Sequence, residues 1–187
     1  MSAIRYLLER GGTLAALGEN LGLNGAVYHG HWQLTRFLLD RGADPNLPGA
    51  ETGETPLHLA AAKGAPRYLP VLQVLLDFNS DPNRKTIPGA ETGAFMRDCR
   101  TKGERPLHRA AAFCGVKAIG LLLAAGADRE ARDVYGDTPL GWASWYGRPG
   151  EILEPLCYGS YPVSSAYRSD GGGMEAFLQG IPHPRPR

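Results

Sequence analysis

Three stretches of the chain share one short motif, and that recurrence limits the fold more than any bulk property. Thr55-Pro56-Leu57-His58-Leu59-Ala60-Ala61 returns as Arg105-Pro106-Leu107-His108-Arg109-Ala110-Ala111, and thirty-three residues further on the chain reads Thr138-Pro139-Leu140. Self-similarity at a period of this size marks an array of stacked helical units. A single unit cannot bury its apolar face, so the core must be a continuous seam shared by neighbours.

The motif has a physical logic. Proline suits the first turn of a helix, where its missing N–H would be unpaired anyway, and a preceding Thr can cap that end. Gly42, Gly126 and Gly159 each follow an apolar run, where a left-handed residue closes a second helix. Two short helices and a turn therefore make one unit.

With its Thr-Pro-Leu-His-x-Ala core, the sequence resembles the ankyrin repeat family over roughly residues 3–157. The resemblance implies an all-α ankyrin repeat solenoid of about four helix-turn-helix units. A half-repeat, Ala3–Gly12, stands at its front, and its apolar residues, with Tyr6 among them, are expected to be covered by Thr13–Leu21 or through self-association. Leu21–Ala26 is a degenerate first motif. The Thr55 unit has added residues around Pro66 and Pro70, with its second helix expected over 71–78. In the last unit Gly141 replaces the motif His and Pro155 interrupts the second helix, so the stack is expected to end there. Residues 1–157 form the expected array, and 158–187, rich in Gly, Ser, Tyr and Pro, an expected tail that partly caps it or is disordered.

The joint between the second and third motifs is abnormal. About residues 84–103 are inserted, and within them Pro88-Gly89-Ala90-Glu91-Thr92-Gly93 repeats Pro48-Gly49-Ala50-Glu51-Thr52-Gly53 letter for letter. The two copies are expected to adopt similar turns. The insertion is expected to project from the array, with Phe95 and Met96 packed back beside Phe113 and with Arg97, Arg100 and Lys102 at the rim.

A formal net charge of +1 provides no global pull toward nucleic acid or an anionic membrane. Basic residues do outnumber acidic ones between Arg84 and Arg109, which leaves nucleic-acid binding through the insertion as an alternative. Three cysteines, Cys99, Cys114 and Cys157, are odd in number and lack a CxxC spacing, arguing against a disulfide framework and for a reducing, cytoplasmic setting. The longest apolar run is about half of the ~20 residues that a membrane span needs.

The resemblance assigns the motif residues Thr55, Pro56, His58, Pro106, His108, Thr138 and Pro139 to structure, with the histidines tying repeats together. It turns the positions after each first helix toward the concave face: Tyr28 and His29, Lys63, Phe113, then Trp145 and Tyr146. Exposed aromatics of this kind are expected at binding hot spots. The competing reading packs Trp142, Trp145 and Tyr146 under the tail. The function expected is a non-enzymatic protein-interaction module that uses this row and the inserted loop, with no cofactor and no metal. A small thiol- or metal-dependent enzyme using Cys99 and His108 is the alternative from another class.

Overall fold

Each motif starts a helix, and a second helix packs beside the first. The computed structural model describes residues 10–92 and 100–158. Within them α1 (Leu23–Tyr28) pairs with α2 (Trp32–Leu39), α3 (Pro56–Ala61) with α4 (Leu69–Asp77), α5 (Pro106–Phe113) with α6 (Val116–Ala124), and α7 (Pro139–Trp145) with α8 (Gly150–Leu153). The first helices pack in series as one layer and the second helices as another.

The seam between the layers is the core. Leu23, Leu57 and Leu107 enter it from equivalent places in the first layer, and Leu38, Leu72, Leu75, Ile119, Leu122 and Ile152 answer from the second, all fully or almost fully buried. Burying each such side chain contributes about 1.5–3 kcal/mol. Leu23 standing where Leu57 and Leu107 stand explains why the degenerate first motif still makes a unit.

The motif prolines sit in the first turns of α3, α5 and α7, as their chemistry requires. Gly42 and Gly126 adopt φ of 93° and 86° just past α2 and α6, conformations that cost a residue with a Cβ dearly. Pro155 acts as expected, since α8 stops after four residues and a 3-10 turn, Glu154–Leu156, replaces it.

One boundary differs from expectation. The second helix of the Thr55 unit begins at Leu69, two residues early, because Pro70 occupies its first turn and is tolerated there; the added residues form a separate 3-10 turn, Pro66–Tyr68. The front half-repeat up to Glu9, the residues Phe95, Met96, Arg97 and Cys99, and the tail from Gly159 lie outside the described residues.

Candidate partner-binding site

The ends of the first helices and the turns after them form one edge of the array, and contacts run along it from unit to unit. The Tyr68 hydroxyl donates to the Tyr28 carbonyl at 2.7 Å, and the Lys63 ammonium lies 3.9 Å from the centre of the Tyr28 ring. Cys114 Sγ donates to the Ala61 carbonyl, and the Arg148 guanidinium donates to the Cys114 carbonyl at 2.6 Å. The Phe113 and Tyr146 rings meet edge to face at 5.1 Å.

Of the aromatics expected on this edge, Tyr28 is 44% exposed, Trp145 75% and Tyr146 40%, while Phe113 is half-buried against Tyr146. His29 is exposed beside Tyr28 and Lys63 is half-buried. Trp142 parts from this group: it is buried, edge-on to His108, and its indole N–H donates to Asp133 Oδ2. A hollow of about 390 Å³ opens at this end, lined by Lys102, Asp137, Trp142, Trp145 and Tyr146. It joins the insertion's last residues to α7.

The motif histidines are engaged at both ring nitrogens. His58 Nδ1 accepts from the Thr55 N–H and its Nε2 faces the Glu104 carbonyl of the next unit; His108 repeats this with the Arg105 N–H and the Asp137 carbonyl. Nδ1 accepting and Nε2 donating define a neutral imidazole. Burial, with the Arg109 charge adding to it, pushes His58 from 6.5 down to about 3, and burial lowers His108 as well. Thr55 and Thr138 start their helices as expected, Thr138 Oγ1 accepting the Gly141 N–H. Arg105 has no side-chain acceptor to offer, and its guanidinium turns instead to Asp128 at 3.0 Å.

The insertion does not stand clear of the array. Its described ends are drawn inward: Thr86, Thr92 and Thr101 are each buried to 3% exposure. The cause is a buried ion cluster. Arg109, with no exposed surface, binds Glu54 at 2.6 Å and holds Glu104 through Nε at 2.9 Å and through a second nitrogen. Thr92 donates to the Glu54 carboxylate, Thr86 to Glu104 Oε2, and the Lys102 N–H to the same oxygen. Burial alone would raise the Glu104 carboxyl, but Arg109 and these donors outweigh it and hold it below its ordinary value. The space between the units, where the insertion was expected to find no place, holds this cluster, and Arg109 belongs to the core and not to the surface charge.

The first hexapeptide lies beside the residue that precedes the second, the Ile87 N–H donating to the Thr52 carbonyl at 2.8 Å, but over its described residues 88–92 the second copy differs in shape from the first. The first turns at Ala50–Thr52; the second turns at Pro88–Gly89, with Gly89 at φ 82°, and runs on into an antiparallel bridge between Glu91 and Arg100. The partners on each side decide this, since Thr92 is pulled onto Glu54 whereas Thr52 Oγ1 accepts the Glu54 N–H. Arg100 is exposed, 4.0 Å from Glu91, and Lys102 is half-buried beside the hollow.

Residues 26–76 match the family model described as ankyrin repeats (many copies). This is an ankyrin repeat protein. The human SH3 and multiple ankyrin repeat domains protein 2 is 38% identical over 104 residues, covering 55% of this chain and 5% of that protein. Human ankyrin repeat and SOCS box protein 3 is 36% identical over 174 residues, 79% of this chain and 33% of that protein. The transient receptor potential channel pyrexia of Drosophila melanogaster is 34% identical over 148 residues, 68% of this chain and 15% of its own. The chain thus spans a third or less of the length of these relatives.

Ankyrin repeats are generally protein-interaction modules without catalytic activity. The thiol alternative finds no support in the geometry around His108, whose two nitrogens are spent on backbone groups. Burial raises both the Cys114 and the Cys157 thiol, which disfavours the reactive thiolate. Among the described residues no three His, Cys, Asp or Glu side chains converge as metal ligands, and no helix is long and apolar enough to cross a membrane.

A second ladder in this ankyrin array was missed in the sequence. Asn20 exchanges two hydrogen bonds with the Asp44 backbone; Asn46 donates to the Asn79 carbonyl and accepts the Asp81 N–H; Asn83 donates to the Gly126 carbonyl and accepts the Asp128 N–H. The signal was present as the repeated Asp-Pro-Asn of 44–46 and 81–83.

Proposed function

We propose that this ankyrin array is a non-enzymatic binding module that engages a protein partner through the ends of its first helices together with the inserted loop. The observation that carries the reading is the row of exposed aromatics, Tyr28, Trp145 and Tyr146, of which Tyr28 is tied to the next unit through Tyr68 and Lys63 and Tyr146 to the preceding one through Phe113. Large rigid side chains that remain exposed without strain are the usual anchors of an interface. The hollow beside Trp145 supports it, because Lys102 of the insertion lines it with α7 and brings the two surfaces together. A reducing, cytoplasmic setting belongs to the same reading, in keeping with the unpaired thiols of Cys114 and Cys157.

The test is affinity capture from the native host, the bound proteins being compared quantitatively between the natural chain and a Trp145→Ala/Tyr146→Ala variant. Proteins that drop at least tenfold, a loss of about 1.4 kcal/mol, mark specific partners of this face. A capture profile identical for the two chains removes the reading.

A further inference from the structure

The charges of this protein differ between its two edges. The four turns that link first to second helices, at residues 28–31, 62–68, 113–117 and 145–149, contain no Asp or Glu, and neither do α1, α3, α5 and α7. The turns and the first two residues of the helices that follow them carry Lys63, Arg67, Lys117 and Arg148, with Glu151 at the start of α8 the one acidic residue among them. The acidic side chains collect at the opposite edge, in the loops that hold Asp44, Asp81, Asp128 and Asp133. Arg41, Arg84, Lys85, Arg129 and Arg132 stand in or beside those loops too, so the loop edge is of mixed sign while the turn edge is mainly cationic.

Carboxylate pairing of the basic residues occurs on the loop edge, though not for every cation there, since Arg41 lies over the Phe37 ring and Arg129 and Arg132 donate to backbone carbonyls. On the loop edge Arg100 lies against Glu91, Arg105 against Asp128, and Arg109 against Glu54 and Glu104. On the turn edge none of the four cations has a carboxylate partner among the described residues. Lys63 and Arg67 rest on the rings of Tyr28 and Tyr68, and Arg148 reaches only the Cys114 carbonyl. Lys117 is exposed.

Resting on the reading of the array as a binding module, we propose that the turn edge receives an extended, acidic polypeptide segment. Its carboxylates meet Lys63, Arg67, Lys117 and Arg148, and apolar side chains between them lie on Phe113 and Tyr146. Helices pack about 8–10 Å apart, so four successive turns cover roughly 25–30 Å, the reach of about nine extended residues. A cation at each of the last three of the four units offers a charge along most of that length. Complementary charge of this kind sets the choice of partner and speeds encounter. A polyphosphate strand fits less well, since its many charges would meet a molecule with almost no net positive charge to draw it in.

The experiment is selection of a random 12-residue peptide display library on the full chain, followed by polarisation titration of the selected peptides. Selected peptides at least threefold richer in Asp and Glu than the library are expected. Their binding should weaken at least tenfold in Lys63→Glu/Arg67→Glu, weaken further in 300 mM salt, and hold within twofold in Arg132→Glu, a charge change on the loop edge. Peptides without acidic enrichment, or equal binding to the Lys63→Glu/Arg67→Glu variant, overturn the proposal. So does a 12-residue single-stranded oligo-dT that binds more tightly than the selected peptides. The module reading is judged separately by Trp145→Ala/Tyr146→Ala: neutral peptides that are lost in that variant leave it standing while the acidic segment falls, and peptides that need neither face remove both.

Discussion

Arg109 and Glu54 meet at 2.6 Å although fifty-five positions separate them, and their side chains are 0% and 9% exposed. With Glu104 on the other side, the guanidinium is the shared partner of two carboxylates from two units and so fixes the spacing between α3 and α5. Removing it leaves both carboxylates buried and unpaired, which typically costs about 3–5 kcal/mol. Arg109→Ala is therefore expected to lower stability by that amount in denaturant unfolding, and adding Glu54→Gln should return part of the loss by removing one of the orphaned charges. A loss below about 1 kcal/mol in Arg109→Ala would show that the cluster contributes no net stability.

The neutral histidines make the protein sensitive to acid. In the unfolded chain both titrate near 6.5, whereas in the fold His58 is down at about 3 and His108 is also lowered. Between those limits the unfolded chain binds protons that the native chain does not, so stability rises with pH. It is fully present above 6.5 and falls roughly tenfold in the folding constant for each pH unit below it on account of His58, with His108 adding in the same direction. Glu104 acts in the same direction: its lowered carboxyl contributes stability above its unfolded value of 4.5, lost as pH falls through the native one. Denaturant midpoints at pH 7.5 and 5.0 check this, with a marked drop expected. Equal midpoints would mean that the imidazoles are charged in the fold.

The difference between what the sequence disclosed and what it withheld follows from the range of the contacts. Proline at 56, 106 and 139, the leucine after it and the closing glycines are read locally, because they act within one helical turn or cap. Arg109 is not. It occupies the x of the Thr-Pro-Leu-His-x-Ala motif, where the neighbouring units have Leu59 and Trp142, and a basic residue there reads as surface. Charged residues are seldom buried unless paired, and the pair depends on Glu54, with Thr92 supporting Glu54 from thirty-eight positions away. Glu54 and Glu104 do share a local sign, each standing directly before its motif. The positions of Tyr28, Trp145 and Tyr146 came from the resemblance, which fixes where each residue stands in its unit, and the structure finds all three exposed.

The asparagine ladder gives a measurable rung. Asn83 provides one donor and one acceptor to the next unit, at 2.8 Å to the Gly126 carbonyl and 2.9 Å from the Asp128 N–H. Both groups face water once released, so Asn83→Ala is expected to cost about 1–2 kcal/mol, less than loss of the buried cluster. Because Arg105 also leans on Asn83 and Asp128, the loss should exceed that of Asn20→Ala at the front of the array. Thermal unfolding of the two variants decides the order, and equal effects would remove the coupling through Arg105.

Two glycines respond to the same substitution with opposite signs. Gly64 has φ 59°, and a Cβ there would lie 2.2 Å from the Phe113 carbonyl oxygen, a backbone atom fixed by the end of α5. Gly64→Ala must therefore open the joint between the second and third units as well as bear the left-handed conformation, which by itself costs about 1–2 kcal/mol. Gly120 lies exposed inside α6, with nothing within 4 Å of an added Cβ, and there alanine is expected to gain about 0.5–1 kcal/mol. Since Phe113 stands in the aromatic row, Gly64→Ala should also displace the Phe113–Tyr146 contact and weaken binding at that edge, while Gly120→Ala leaves binding untouched. Melting temperatures that move in opposite directions, with binding lost only in Gly64→Ala, are the expected result; a Gly64→Ala protein as stable as its parent would mean that the tight approach of Gly64 to Phe113 is not what sets the spacing of these two units.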